Sequence, residues 1–271
     1  MKHDMDFQYY LDQWQLQQDG QPVITHSSRL LPVLHEGLPA MLKVAVEKDE
    51  QLGNEIMVWW NGQGAAKVLA HNGEALLMER ATGPRNLKTM SMNGADDAAT
   101  KILCATALQL HAVPKPPPDG MITMERWFAD LFAHGHKYGG SIAHGLELAR
   151  RLVTEEIEKC VLHGDLHHEN VLDFEGKGWL AIDPKKLYGD RAFDFANIFC
   201  NPDLSIAAAP AAFQRRLQTV CSETGIERRR LLEWIVAWAA LSAVWFIEDN
   251  LEADAATDLA VGTLAMVELD R

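Results

Sequence analysis

Apolar residues follow two different rhythms along this chain. From Pro22 to Val46 short apolar runs are broken by Ser, Gly and Pro: Val23-Ile24-Thr25, Leu30 to Leu34, a turn at Glu36-Gly37, then Ala40 to Val46. Runs of this kind bounded by turn residues predict an antiparallel sheet. Residues 48–60 instead place Leu52, Ile56 and Trp59 at helical spacing, and Asn61-Gly62 ends that helix. Two further strands are expected near Ala66–Ala70 and Ala75–Glu79, with Asn72-Gly73 as their hairpin turn. After Glu79 the helical period takes over, from about Asp96 through Ile102, Ala105 and Leu108 to Leu110. Pro114 and Pro116-Pro117-Pro118 make residues 112–120 a stiff connector. Helices are predicted at 124–136 and 141–158, then a strand, a loop and a hairpin, then helices at 210–223, 227–247 and 253–269. Residues 7–17, rich in Phe, Tyr, Trp and Leu, form a lead-in whose type the pattern does not fix, and no internal repeat is visible.

This order predicts an α+β chain. A small antiparallel sheet lobe with one helix occupies 1–80, a hinge, a first helix and the Pro-rich connector follow at 81–120, and a mainly helical lobe fills 121–271, with a cleft between the lobes. At 271 residues, 48% of them hydrophobic, the chain can bury a sizeable core. Its formal charge, 25 minus 38, is −13, which argues against nucleic acid as a partner and suits a cationic one. The run Trp234–Ile247 is uncharged but only 14 residues long. Such a helix rises about 21 Å, short of a bilayer core of about 30 Å, so it is expected to be buried in protein rather than in membrane. Cys104, Cys160, Cys200 and Cys221 form no C-x-x-C pair, and Met1-Lys2-His3-Asp4 has no leader character. Reduced thiols in a cytoplasmic protein are expected.

The chemistry concentrates in Leu162-His163-Gly164-Asp165-Leu166-His167-His168-Glu169-Asn170 and Ala181-Ile182-Asp183-Pro184. An Asp, an Asn five residues on, and a second Asp after a hairpin is the set that kinase-type phosphoryl transfer requires. A base meets the acceptor hydroxyl, while an amide oxygen and a carboxylate hold Mg²⁺ over the phosphates. Asp165 is the candidate base, with Asn170 and Asp183 as metal ligands. The hairpin Asn170–Phe174, turning at Glu175-Gly176-Lys177-Gly178 and returning as Trp179–Ile182, delivers Asp183 to the loop. His163, His167 and His168 lack the spacing of a zinc site; His163 is expected to orient the loop and the other two to line it.

In the sheet lobe, Lys43 within Met41-Leu42-Lys43-Val44 is placed to reach nucleotide phosphates. Glu55, on the helix face of Leu52 and Ile56, is the first candidate to orient Lys43, with Glu50 second. No G-x-G-x-x-G or G-x-x-x-x-G-K-[ST] occurs, so Ser27 and Ser28 in Thr25-His26-Ser27-Ser28-Arg29 stand as the phosphate turn. Adenine is expected against the backbone of Met78-Glu79-Arg80-Ala81, through Glu79 and Ala81. Lys185 either reaches a phosphate or balances local charge. Asp190 and Asp194 are read as structural caps.

These residues resemble the aminoglycoside/hydroxyurea antibiotic resistance kinase family. The likeness runs through His163 to Leu172, Ile182-Asp183-Pro184-Lys185 and Gly189-Asp190-x-Ala192-Phe193-Asp194. It extends to Trp59-x-Asn61-Gly62-x-Gly64-Ala65, Leu76-Leu77-Met78-Glu79, Arg229-Arg230-Leu231-Leu232 and Leu241-Ser242-Ala243-x-Trp245, covering about Pro22 to Ile247. The resemblance implies a protein-kinase-like two-lobed fold and ATP- and Mg²⁺-dependent transfer of a phosphoryl group to a hydroxyl. It assigns Asp165 as base, Asn170 and Asp183 as magnesium ligands and Lys43 as the phosphate lysine. The helix glutamate does not carry over cleanly. The expected acceptor is an aminoglycoside such as streptomycin, or hydroxyurea, seated by residues 194–249. A metabolite kinase acting on an amino alcohol, sugar or hydroxy acid uses the same site, and a nucleotide-binding pseudokinase is the non-enzymatic alternative.

Overall fold

The computed structural model describes the backbone of residues 4–155 and 157–271 and side chains from Phe7 onward. Its first part is a six-stranded antiparallel sheet. The principal strands are β1 (Ser28–His35), β2 (Leu38–Ala45), β3 (Val68–Asn72) and β4 (Ala75–Glu79), in the order β1-β2-β4-β3. The short pieces Gln17–Gln18 and Val23–Ile24 both pair with β1. Glu36 and Gly37 both take positive φ, 52° and 78°, as the two-residue turn between β1 and β2 demands. The lead-in resolves into helix α1 (Asp4–Gln13), which lays Phe7 and Tyr10 over Leu31, Val33, Leu42 and Leu77.

Period-2 alternation puts Lys43 on the opposite face from Leu42 and Val44. It is no edge residue: it lies mid-sheet, opposite Leu30 on one side and Leu76 on the other, and is 4% exposed. That face is covered by α2 (Lys48–Trp60), ended by Asn61 in the left-handed conformation. Ile56, Met57 and Trp60 of α2 join the larger core. Gly53 lets α2 approach the helical lobe closely, since a Cβ there would lie 2.1 Å from the carbonyl oxygen of Pro184.

The second lobe is built on α3 (Asp96–His111), α4 (Gly140–Leu152), α5 (Pro210–Thr224), α6 (Arg228–Glu248) and α7 (Ala255–Leu269). Helix α6, 21 residues long, is apolar enough by length and composition to cross a membrane. It is instead sheathed by α4 and α7, with Trp234, Ile235, Val236 and Leu241 buried. The predicted helix 124–136 is broken into Met124–Trp127, Ala129–His134 and a last 3₁₀ turn. The helix expected at 141–158 stops at Leu152, freeing residues for β5 (Lys159–Leu162). The hairpin forms as β6 (Val171–Asp173) and β7 (Trp179–Ala181). The longest strand not anticipated lies just past the hairpin. β8 (Leu187–Asp190), in what the pattern presents as a polar loop, pairs antiparallel with β5 and parallel with Ile122–Thr123.

Arg216 on α5 is 1% exposed and donates to Asp96 of α3, as well as to the carbonyls of Ile198 (2.8 Å) and Asn201 (2.5 Å). A buried pair that loses one member leaves an uncompensated charge. Arg216→Ala is therefore expected to cost about 3–5 kcal/mol in urea unfolding; a loss below about 1 kcal/mol would contradict this account of the pair.

Candidate active site

The loop between β5 and β6 owes its shape to one buried carboxylate. Asp194 accepts the backbone N–H groups of His163 (2.8 Å) and Gly164 (2.7 Å) and pairs with His111 Nε2 at 2.7 Å. Burial would raise its pKa, but His111 and these N–H groups bring it below the usual carboxylate range. Asp194 thus clamps the loop itself rather than capping the following helix, whereas Asp190 does cap, accepting from Ala192 N. Gly164 needs its φ of +78°, and a Cβ there would press on Leu187. His163 orients the loop: its ring meets the carbonyl of Ile182 at 2.9 Å and stacks on Trp60.

Asp165 emerges from this loop beside Asn170, whose Nδ2 donates to the Asp165 carbonyl at 2.9 Å and approaches Oδ2 at 3.3 Å. The backbone N–H of Ile182 donates to the carbonyl of Asn170, which ties hairpin to loop and sets Asp183 next to them. Asp183 takes a positive φ, 61°, and its Oδ1 pairs with Lys43 Nζ. The loop, the hairpin and the sheet lysine therefore meet at one end of the cleft. Burial raises the pKa of Asp165 despite His167 and Lys185 nearby, so its carboxyl holds a proton more readily than an exposed aspartate.

The glutamate that holds Lys43 is Glu50, not Glu55. Glu50 Oε2 accepts from Lys43 at 2.5 Å and from Ser28 Oγ at 3.1 Å, and Oε1 accepts from Lys185 at 2.6 Å. Glu55, five residues on, faces the helical lobe and pairs with Lys186 at 2.5 Å. The reason is where α2 begins: its first turn abuts Lys43, so a residue near the N-terminus is within reach. Burial pushes the Glu50 carboxyl up, yet two cations beside it prevail and bring it well below the ordinary range.

Ser28, expected in the phosphate turn, has both donors engaged, Oγ on Glu50 and N–H on Thr25 Oγ1. The side chain of Glu79 is likewise spent, on Lys67 N and Lys177, and its backbone N–H donates to the Lys67 carbonyl. Lys185 balances Glu50 rather than pointing at an open phosphate position. A cavity of about 310 Å³ lies between sheet and hairpin, walled by Leu30, Met41, Met78, Leu172, Phe174 and Ile182. Ser27, Lys43, Glu79, Ala81 and Asp183 border it, so apolar walls end in charged groups.

A second cavity, about 420 Å³, is lined by Asp165 and His167. Trp238, Trp245 and Phe246 form its apolar wall, and Asp203, Asp254 and Asp258 its acidic one. Asp258, on α7, is 4% exposed and hydrogen-bonded to Ser242 and Cys200, and burial lifts its pKa to about 6. Sequence reading left Asp258 unremarked, because only the packing of α7 on α6 carries it into the site.

The fold is that of kinase-type small-molecule phosphotransferases. At TM-score 0.65 and 14% identity the chain superposes on a thermostable mutant of aminoglycoside phosphotransferase APH(4)-Ia in complex with ADP and hygromycin B, covering 96% of this chain and 97% of that one. Choline kinase LicA from Streptococcus pneumoniae is similar at TM-score 0.66 and 12% identity, over 98% of this chain and 100% of that one. Within that class, residues 13–250 match the aminoglycoside/hydroxyurea antibiotic resistance kinase family, and the chain belongs to it. It is 48% identical to the streptomycin 3″-kinase of Klebsiella pneumoniae over 96% of this chain and all of that one. Identity to the streptomycin 6-kinase of Streptomyces griseus is 32%, over 93% and 85% of the two chains. Like its relatives, the chain is a phosphotransferase with a hydroxyl group as acceptor.

The two glutamates of α2 separate cleanly by mutation. Glu50→Gln frees Lys43 and Lys185, and is expected to lower kcat/KM by about tenfold or more, equivalent to one charged hydrogen bond. Glu55→Gln is expected to leave it within about twofold. Equal effects of the two substitutions in steady-state kinetics would contradict the pairing.

Proposed function

We propose that this enzyme uses ATP and Mg²⁺ to phosphorylate streptomycin at its 3″-hydroxyl, and so confers resistance to it. The observation that carries the reading is that Asp165, which lines an acidic, aromatic cavity, lies within electrostatic reach of Asp183, which with Lys43 lines an apolar one. The first cavity suits a nucleotide: apolar walls for a base, Glu79 and Ala81 at the rim, and the Lys43 ammonium for phosphates. The second suits a hydroxylated polycation. Identity of 48% to a streptomycin 3″-kinase along the whole length favours the 3″ position over the 6 position.

The donor set fits magnesium. Asn170 spends its amide nitrogen on Asp165, which leaves its amide oxygen as an acceptor, while its backbone carbonyl takes the N–H of Ile182, the residue before Asp183. Two hard oxygen ligands, with water and phosphate oxygens completing the octahedron, are what magnesium prefers. When bound, the ion would neutralise charge on the β- and γ-phosphates. Lys43, held by Glu50, contributes its charge on the same side. Asp165 receives the proton of the acceptor hydroxyl as its oxygen bonds to the γ-phosphorus, and the bond from that phosphorus to the bridging oxygen breaks to release ADP. Catalysis is then largely positioning and fixed charge.

ADP release, with mass and ³¹P spectra of the product, tests the reading against streptomycin, other aminoglycosides, hydroxyurea and hydroxylated metabolites. Fast turnover of streptomycin at low concentration is expected. A preference for an amino alcohol or sugar would favour a metabolite kinase, and nucleotide binding with no turnover a pseudokinase. Asp165→Asn is expected to lower kcat by at least about 10²-fold while ADP still raises the melting temperature; full activity in that variant would refute the assignment.

The acidic wall sets a pH dependence. The raised pKa of Asp258, about 6, means that its charge is present above that value and lost as pH falls through it. kcat/KM for a cationic acceptor is therefore expected to drop below about pH 6, whereas Asp258→Asn should raise KM roughly tenfold and flatten that limb. Asp165, whose carboxyl burial also raises, is the other group able to set this limb, so an unchanged limb in Asp258→Asn would assign it there.

A further inference from the structure

Asn197, on the four-residue helix Ala196–Phe199 that follows the Asp194 clamp, is 8% exposed and touches the base directly: its Nδ2 donates to Asp165 Oδ1 at 3.0 Å. The orientation of its amide is not open to choice. The indole N–H of Trp238 can only donate, and it meets Asn197 Oδ1 at 3.1 Å. Asn201 Nδ2 donates to the same oxygen at 3.0 Å, and to the Asn197 carbonyl at 3.0 Å. With its oxygen held twice, the amide must present nitrogen to Asp165. Behind it, the buried Arg216 fixes the carbonyls of Ile198 and Asn201, so the segment carrying both asparagines is anchored from the core.

We infer that Asn197 is a positioning residue for phosphoryl transfer, locking the Asp165 carboxylate in one rotation and coupling it, through Trp238, to the wall of the acceptor cavity. The lock occupies Oδ1. Among the described residues Oδ2 has only the longer approach of Asn170 at 3.3 Å, which leaves it as the oxygen to meet the acceptor hydroxyl. Trp238 and Asn201 both line the acceptor cavity, so an acceptor seated against that wall rests on the groups that fix the base. A base free to rotate would reach the hydroxyl only part of the time, and small misplacements of this kind lower kcat rather than binding.

This inference rests on the phosphotransfer reading above, and the experiment separates the two. Wild type is first assayed with ATP and streptomycin; absence of turnover on the whole acceptor panel would remove the reading itself. With turnover established, Asn197→Asp keeps the shape and the acceptor oxygens for Trp238 and Asn201, but replaces the donor to Asp165 with a repelling carboxylate. kcat is expected to fall about tenfold or more, with KM for ATP and the ADP-induced melting shift within about twofold of wild type. Trp238→Phe retains an aromatic wall and removes the N–H; it is expected to lower kcat several-fold and serves as the test should Asn197→Asp not fold. In an Asp165→Asn background, adding Asn197→Asp should change the residual single-turnover rate by less than about twofold, because the group being positioned is gone. A kcat within twofold of wild type in the single variants, or an undiminished loss in the Asp165→Asn background, would overturn the inference.

Discussion

One buried carboxylate gathers charge from both halves of this molecule at the site. Glu50 belongs to the sheet lobe, yet its two oxygens are shared between Lys43 and Ser28 of that lobe and Lys185 of the other. Taking an ionised group out of water is costly unless opposite charge and hydrogen bonds surround it. Here two ammonium groups and a hydroxyl do so, and because Lys185 comes from the other lobe, the lobes' relative placement contributes to keeping the glutamate charged. Gly53, one turn further along α2, adds the steric half of the constraint, because no side chain fits between the helix and Pro184. Together with the direct pair of Lys43 and Asp183, this contact sets how far Lys43 stands from the loop residues.

A second buried acid performs the corresponding task within the helical lobe. Asp194 binds two successive backbone N–H groups of the loop before Asp165. The hairpin is pinned from the hinge side as well: Arg85 forks onto Asp173 at 2.7 and 2.8 Å, and Gly83 donates to the Asp173 carbonyl. The residues proposed to act on nucleotide and acceptor are thus few, and those that hold them are more numerous, mostly buried, and drawn from helices far apart in sequence. The acceptor side follows the same plan, with α7 adding Asp258 to a wall that α6 builds from Trp238 and Trp245.

How much of this was legible in sequence divides along physical lines. Local periodicity gave α2 to the residue at Lys48–Trp60 and α5 within one residue, because amphipathic repeats and stop signals are local. The spacing from Asp165 to Asn170 and across the hairpin to Asp183 was readable because a tight loop and a two-strand turn fix geometry over short stretches. β8 was hidden: Leu187-Tyr188-Gly189-Asp190 has little strand character, and its pairing with β5 and Ile122–Thr123 comes from distant segments. Glu50 was passed over for Glu55 because helical spacing tells which residues share a face, but not which end of α2 abuts Lys43. Asn197 and Asp258 carried no motif of their own, and only tertiary packing brings them to Asp165.

The central proposal is that Asn170 of the loop and Asp183 after the hairpin would hold a divalent cation while Lys43 meets the nucleotide phosphates. Manganese, which is paramagnetic and takes the same oxygen ligands, measures this directly through the loss of its free-ion electron paramagnetic resonance signal on titration with protein and ADP. The account predicts uptake of one ion per chain that requires ADP, is retained in Asp165→Asn, and is weakened at least about tenfold in both Asn170→Ala and Asp183→Asn. Undiminished manganese uptake in those two variants would contradict it.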